Sequence, residues 1–190
     1  MLITIPHCTT DATLFEIECP RHLLGATPGA RLGWAVQEAA DKGIDLSGAM
    51  LAGAWLIGAV LDGAVLTGAR MDGARLTRAW LEGARMDGAR LSGALLDDAR
   101  LDGANLTGAR MNGADLRCAV LRGTRLRKAD LRGANLRYAN MPSAMLIEAD
   151  LRLADLSYAN LNSADLTGAD FGDAKMTDAV LTCTLLDTRV

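Results

Sequence analysis

From Ile44 to Thr188 the apolar positions of this chain recur every five residues. Leu, Met or Phe fills each step of one column, from Leu46, Leu51, Leu56, Leu61, Leu66 and Met71 to Leu181 and Leu186. Ala stands two residues before each, as at Ala49, Ala54 and Ala59, and only Ile44, Thr124 and Thr184 interrupt this second column. The frame holds through 29 consecutive units without insertion or deletion. A period of five fits neither the helical period of about 3.6 nor the strand period of about 2. A helix would smear the Leu column around its circumference, and a plain sheet would send alternate Leu side chains to opposite faces. A repeating unit of short strand and corner satisfies both columns. Ala and Leu, two apart, point the same way, and the residues between and after them point outward or turn the corner. A short fixed period of this kind is the mark of a repeat architecture.

The corner falls two residues after each Leu. Gly occupies it in 15 of the 29 units, including Gly48, Gly53, Gly58, Gly63 and Gly68. A type II turn requires positive φ at its third residue, which Gly adopts without steric cost. Lys128, Tyr138, Glu148, Leu153 and Tyr158 replace it later in the chain, which predicts a change of corner geometry there. The unit Ala104-Asn105-Leu106-Thr107-Gly108, repeated as Ala164-Asp165-Leu166-Thr167-Gly168, closely resembles the pentapeptide-repeat family over about three-quarters of the chain. The resemblance implies an all-β solenoid, a right-handed quadrilateral parallel β-helix with four units to a coil. Residues 20 apart then stack, and the Leu and Ala columns fill the interior. All 29 central residues are expected to be buried.

Residues 1–43 lie outside the repeat. Leu2 to Ile5 and Thr13 to Cys19 read as short strands, the second alternating through Phe15, Ile17 and Cys19. Thr27-Pro28 is a helix-start signal, with Leu32, Val36, Ala39 and Ala40 as an apolar stripe and Gly43 as the stop. An open coil exposes core side chains and free strand groups. The expected division is therefore a small strand-and-helix cap, 1–43, on a β-helix, 44–190. A separate N-terminal binding module is the alternative. The first coil and a half is apolar outside, at Trp55, Ile57, Val60, Val65 and Trp80. Such a surface marks an interaction site unless covered. The N-terminal strands folding back over it is the favoured expectation.

Composition narrows the function classes. Half of the residues are apolar but only 4% are aromatic, as a narrow interior of Leu and Ala demands. No apolar run reaches the length of a membrane span, and the N-terminus lacks a basic region and a long apolar run, so a cytoplasmic protein without membrane contact is expected. Cys8, Cys19, Cys118 and Cys183 have no metal or redox spacing, and Cys118 and Cys183 fall on different corners. The two histidines, His7 and His22, precede the repeat, so no Ser, Cys or Asp of the repeat has a repeat-borne base. Glycines five apart imitate a phosphate loop but lack its Lys. Asp97-Asp98 reads as a solvated corner pair. No enzyme activity, cofactor or metal is expected.

Charge is unevenly spread: −4 over residues 1–102, +6 over 103–138 and −5 over 139–190. Opposite charges two apart, such as Arg70 with Asp72, Arg85 with Asp87, Arg100 with Asp102, Asp115 with Arg117, Asp130 with Arg132 and Asp150 with Arg152, predict local compensation. The candidate basic belt is Arg117, Arg122, Arg125, Arg127, Lys128, Arg132 and Arg137. Tyr138 stands alone beside it, without the aromatic interleaving of a nucleic-acid reader, so direct nucleic-acid binding is disfavoured. The candidate acidic partner surface is Glu148, Asp150, Asp155, Asp165, Asp170, Asp173 and Asp178.

The reading of the residues is a non-catalytic protein-interaction scaffold. The family resemblance implies a narrower alternative, a DNA mimic that binds the type II topoisomerases DNA gyrase or topoisomerase IV and confers resistance or self-protection. A rod of seven-odd coils is about 35 Å long, and duplex DNA of that length carries about 20 negative charges. A net charge of −3 restricts mimicry to the acidic C-terminal part. Val180, Leu181, Leu185, Leu186 and Val190 form the candidate dimer end. Exposed core and strand edges there favour a closed homodimer, and the resemblance implies dimerisation through the same end.

Overall fold

The computed structural model describes residues 1–10 and 12–186. β1 (Leu2–Pro6) pairs antiparallel with β2 (Thr13–Glu18), and a single 3-10 turn at Arg21–Leu23 leads to α1 (Pro28–Asp41). The Thr27 hydroxyl caps α1 by accepting from the Ala30 N–H at 3.3 Å. Gly43, at φ +65°, ends it with its N–H on the Ala40 carbonyl at 2.8 Å.

Beyond α1 the outward residues pair in parallel with those 20 further on, from Met50 with Arg70 and Trp55 with Arg75 to Asp165 with Leu185. Four units therefore complete one coil of a four-sided solenoid. Each side is held to the next coil by the same backbone ladder. The Leu46 N–H reaches forward to the Val65 carbonyl at 2.9 Å and the Gly48 N–H to Thr67 at 2.8 Å, while the Arg70 N–H reaches back to Ala49 at 2.8 Å. Central residues from Leu46 to Leu166 are at most 2% exposed, with Ala packed between them. Each fully buried Leu contributes roughly 1.5–3 kcal/mol. Thr124 replaces Ala inside and satisfies its hydroxyl on the Leu101 carbonyl at 2.9 Å. Burial is incomplete only at the far end. Phe171 and Met176 are half-buried, and Leu181 and Leu186 are 37% and 56% exposed, because no coil lies beyond them among the described residues.

The corners do not change where Gly gives out. Every described corner from Gly48 to Cys183 has φ between 55° and 68°, including thirteen that are not Gly. The next Ala N–H closes each turn on the central carbonyl, as Ala49 does on Leu46 at 3.0 Å. Positive φ at the third residue alone makes this a type II turn, and Pro142 occupies the second position of one of them, where its fixed φ fits. The ladder overrides local preference: the Tyr138 N–H is held by the Ser157 carbonyl of the next coil at 3.1 Å, as glycine corners are.

The first coil has no predecessor to receive the N–H groups that reach back, and the N-terminal segment receives three of them. Met50 donates to the Pro6 carbonyl at 2.9 Å and Trp55 to the Gly29 carbonyl at 3.0 Å. Val60 donates to Gln37 Oε1 at 2.8 Å, and Gln37 Nε2 returns a bond to the Val60 carbonyl at 2.9 Å. Gly29, Gly33 and Gln37 form one stripe of α1. A Cβ at Gly33 would run into the Trp55 carbonyl, so the helix lies directly on the strand edge. Val36 and Ala39 of the apolar stripe are fully buried, Leu32 and Ala40 half-buried, and Ala35 joins them inside.

Candidate functional site

Each unit presents two outward side chains and a corner, so function resides in what these carry. The N-terminal segment covers the end of the first coil, not its sides. Trp55, Ile57, Val60 and Trp80 remain 42%, 57%, 53% and 43% exposed, contrary to the expected cover by the N-terminal strands; only Val65 is half-buried. The strands are engaged at the coil's edge, where His7 bridges Ala49. Val60 stacks on Trp80, and the guanidinium groups of Arg75 and Arg100 lie over the Trp55 and Trp80 rings at 4.9 and 4.6 Å. Two adjacent sides thus share an apolar strip with cations on its aromatic faces.

The basic belt from Arg117 to Arg137 spans one coil and so encircles the molecule instead of forming a patch. Arg127 and Lys128 bond Glu148 at 2.9 and 3.3 Å, and Arg137 bonds Asp155 at 3.3 Å. Arg122 and Arg125 have no ion pair among the described residues. Of the acidic set, Asp150 and Asp170 share one side, Asp155 and Asp165 lie on two others, and Glu148, Asp173 and Asp178 are corners. The structure brings Asp130, Arg132, Asp150, Arg152 and Asp170 together as a zipper, with contacts of 2.7, 3.6, 2.6 and 3.5 Å in that order. Hydrogen bonds from Arg132 and Arg152 hold the Asp130 and Asp150 carboxyls below the usual range. Bonds from Ser157, then Arg137, do the same for Asp155. Asp165, Asp173 and Asp178 carry no ion pair among the described residues.

The expected pairing of charges two apart holds only when Asp comes first. Asp115, Asp130 and Asp150 accept from the N–H two residues on and then receive the Arg there. When Arg comes first the pair does not form, and an Arg in this outward position that has an ion pair finds it on the previous coil. Arg90 reaches Asp72 at 3.2 Å and Arg100 reaches Glu82 at 2.6 Å, each 18 residues earlier. Asp72, Asp87 and Asp102 therefore do not neutralise the Arg residues two positions before them.

Tyr138 does not stand alone. It stacks on Tyr158 with ring centroids 4.9 Å apart, and Arg137 lies over both rings. Their separation of 20 residues was the available signal. Asp97 accepts from the Thr77 hydroxyl at 2.8 Å and Asp98 pairs with Arg78 at 3.7 Å, so this carboxylate pair is engaged with the coil before it. Among the described residues no group of His, Cys, Asp or Glu is placed to hold a metal, and no helix is long and apolar enough to cross a membrane. At the far end Val180 and Leu185 are 46% and 61% exposed beside Leu181 and Leu186. Val190 lies outside the described residues.

No curated protein matches this chain. Among solved structures it is similar to HetL, a pentapeptide repeat protein involved in heterocyst differentiation regulation in the cyanobacterium Nostoc sp. strain PCC 7120. That match has 29% identity over 78% of this chain and 85% of that one, with a TM-score of 0.42. It is also similar to a trypsin-treated variant of QnrB1, a plasmid-mediated fluoroquinolone resistance protein, at 24% identity over 72% and 78% of the two chains, with a TM-score of 0.42. Eight copies of the model for pentapeptide repeats match, with residues 44–83, 74–113, 84–123, 114–152 and 144–182 covered. The chain belongs to the pentapeptide-repeat family.

Proposed function

We propose that this chain is a non-catalytic protein-interaction scaffold, a right-handed β-helix capped by residues 1–43, whose contacts are made by its outer faces. The observation that carries this reading is the exposed strip of Trp55, Ile57, Val60 and Trp80. Contiguous apolar surface of this kind on a regular rod is stabilised by a partner and has no use in solvent. Aromatic and Arg side chains are also the residues that dominate protein interfaces. The test is affinity capture from the native host with wild type and an Ile57→Glu/Trp80→Glu variant of unchanged circular dichroism. A partner retained by wild type and lost by the variant is expected; identical capture by both overturns the reading.

A second reading, mimicry of DNA toward a type II topoisomerase, is favoured by Asp165, Asp173 and Asp178. Their carboxylates carry no ion pair among the described residues, whereas Glu148 and Asp155 are paired with the belt and Asp150 with Arg152. It rests on the family resemblance for its target. Purified protein should then alter gyrase supercoiling, less so as salt rises, and an Asp165→Asn/Asp173→Asn/Asp178→Asn variant should not. Absence of any effect at low salt removes this reading. The same C-terminal end, through Val180, Leu181, Leu185 and Leu186, is the proposed homodimer contact.

A further inference from the structure

One side of the rod carries Arg70, Arg90 and Arg110 directly above one another, as parallel neighbours on successive coils. Their Cα atoms are about 4.8 Å apart, and like charges opposite one another destabilise a sheet. Within this column Arg90 meets a carboxylate 18 residues earlier, Asp72, as Arg100 meets Glu82 on another side. The corresponding positions for Arg70 and Arg110 hold Ala52 and Ser92. Neither Arg has an ion pair among the described residues, and Arg90 Nε is buried without a hydrogen-bond partner despite its contact with Asp72. Arg70, Arg90 and Arg110 line a recess of about 340 Å³, with Cys8 and Thr9 at its N-terminal end. That wall is fixed by the Cys8 N–H on the Gly48 carbonyl at 2.7 Å.

We propose that this recess binds the phosphoryl group of a small phosphorylated ligand or of free phosphate. Three Arg less one Asp leave a net charge of +2, which matches a phosphate at neutral pH, and planar guanidinium groups bind phosphate oxygens in pairs. A carboxylate brings one charge and two oxygens and would leave an Arg uncompensated. The ligand is compact. The loop at Cys8 and Thr9 closes one end, and the same column continues as Asp130, Asp150 and Asp170, whose pairing with Arg132 and Arg152 leaves no surplus of positive charge there for a longer polyanion. The site is independent of the apolar strip, which lies on other sides.

Isothermal titration of the full chain at low ionic strength, with inorganic phosphate and with O-phosphoserine, tests the proposal. Saturable binding of one anion per chain is expected. It should weaken at least tenfold in Arg70→Gln/Arg110→Gln and stay unchanged in Arg122→Gln/Arg125→Gln. Ser92→Asp, which restores the missing carboxylate and keeps every Arg, should weaken it likewise while leaving the melting temperature no lower. Tighter binding of phosphoserine identifies an ester as the source and tighter binding of phosphate the free ion; either supports the site. No saturable binding, equal loss in both double variants, or tighter binding by a single-stranded DNA oligomer sensitive to Arg70→Gln/Arg110→Gln overturns it.

Discussion

Thirteen corner side chains occupy a backbone conformation that costs an L-residue roughly 1–2 kcal/mol. Leu153 is 68% exposed at φ +62°, so its side chain offsets little of that cost. Leu153→Gly is expected to raise stability by about 1 kcal/mol in urea titration, after allowing for the extra freedom glycine gives the unfolded chain. Tyr158→Gly should gain nothing, because it removes a ring stack of about 0.5–1.5 kcal/mol. Glycine announced the turn at the early corners. The later corners looked like a different geometry because local preference was read without the interstrand ladder that overrides it. Gly33 taught the reverse. In the sequence it is an unremarked residue inside a helix, yet Gly33→Ala drives a methyl group into the Trp55 carbonyl, and a loss of about 2 kcal/mol or more is expected from thermal melting.

At the scale of elements, α1 acts as a substitute strand. Its Gln37 side chain offers one donor and one acceptor to Val60, as a neighbouring coil would offer backbone. Gln37→Ala should cost about 1–3 kcal/mol, whereas Gln37→Glu keeps the acceptor and removes the donor. The helix itself was legible from Thr27-Pro28 and its apolar stripe. Gln37 was not, because nothing in a helical pattern says that a polar side chain meets an unpaired strand edge. The Asp130–Arg152 zipper gives a pH dependence of definite sign. Asp130 and Asp150 have depressed carboxyl pKa values in the folded state. The stability they contribute is present above the usual carboxylate range near pH 4 and is lost as pH falls through their lower folded values. Melting temperature should therefore drop below about pH 4, and Asp130→Asn/Asp150→Asn should flatten that drop. An equal drop in the variant assigns the acid sensitivity to other groups. The reach of Arg back to the previous coil was hidden in sequence, since it depends on side-chain length across a spacing of 18.

At the scale of the whole molecule, each coil touches only its neighbours, and the core between them is continuous. Leu116→Asp buries an unpaired charge mid-rod and should abolish cooperative folding by circular dichroism. Removing residues 1–43 strips three edge N–H groups of their partners and uncovers Leu46, Leu51, Leu56 and Leu61, so the fragment should aggregate in size-exclusion chromatography. Light scattering at micromolar concentration should report a dimer that Leu186→Glu dissociates. The interior repeats every five residues, but the exterior is matched at 20, and the two periods make different demands on insertion and deletion. Excising a single unit leaves Leu stacked on Leu and Ala on Ala, so the core has no means of registering the loss. Outside, everything below the excision turns by a quarter of a circle: Tyr158 leaves Tyr138, Arg152 leaves the zipper's upper half, and every side receives a stranger. Excising four units returns each side to its own line. Interior residues thus determine that the chain winds, and the outer residues alone record how far it has wound.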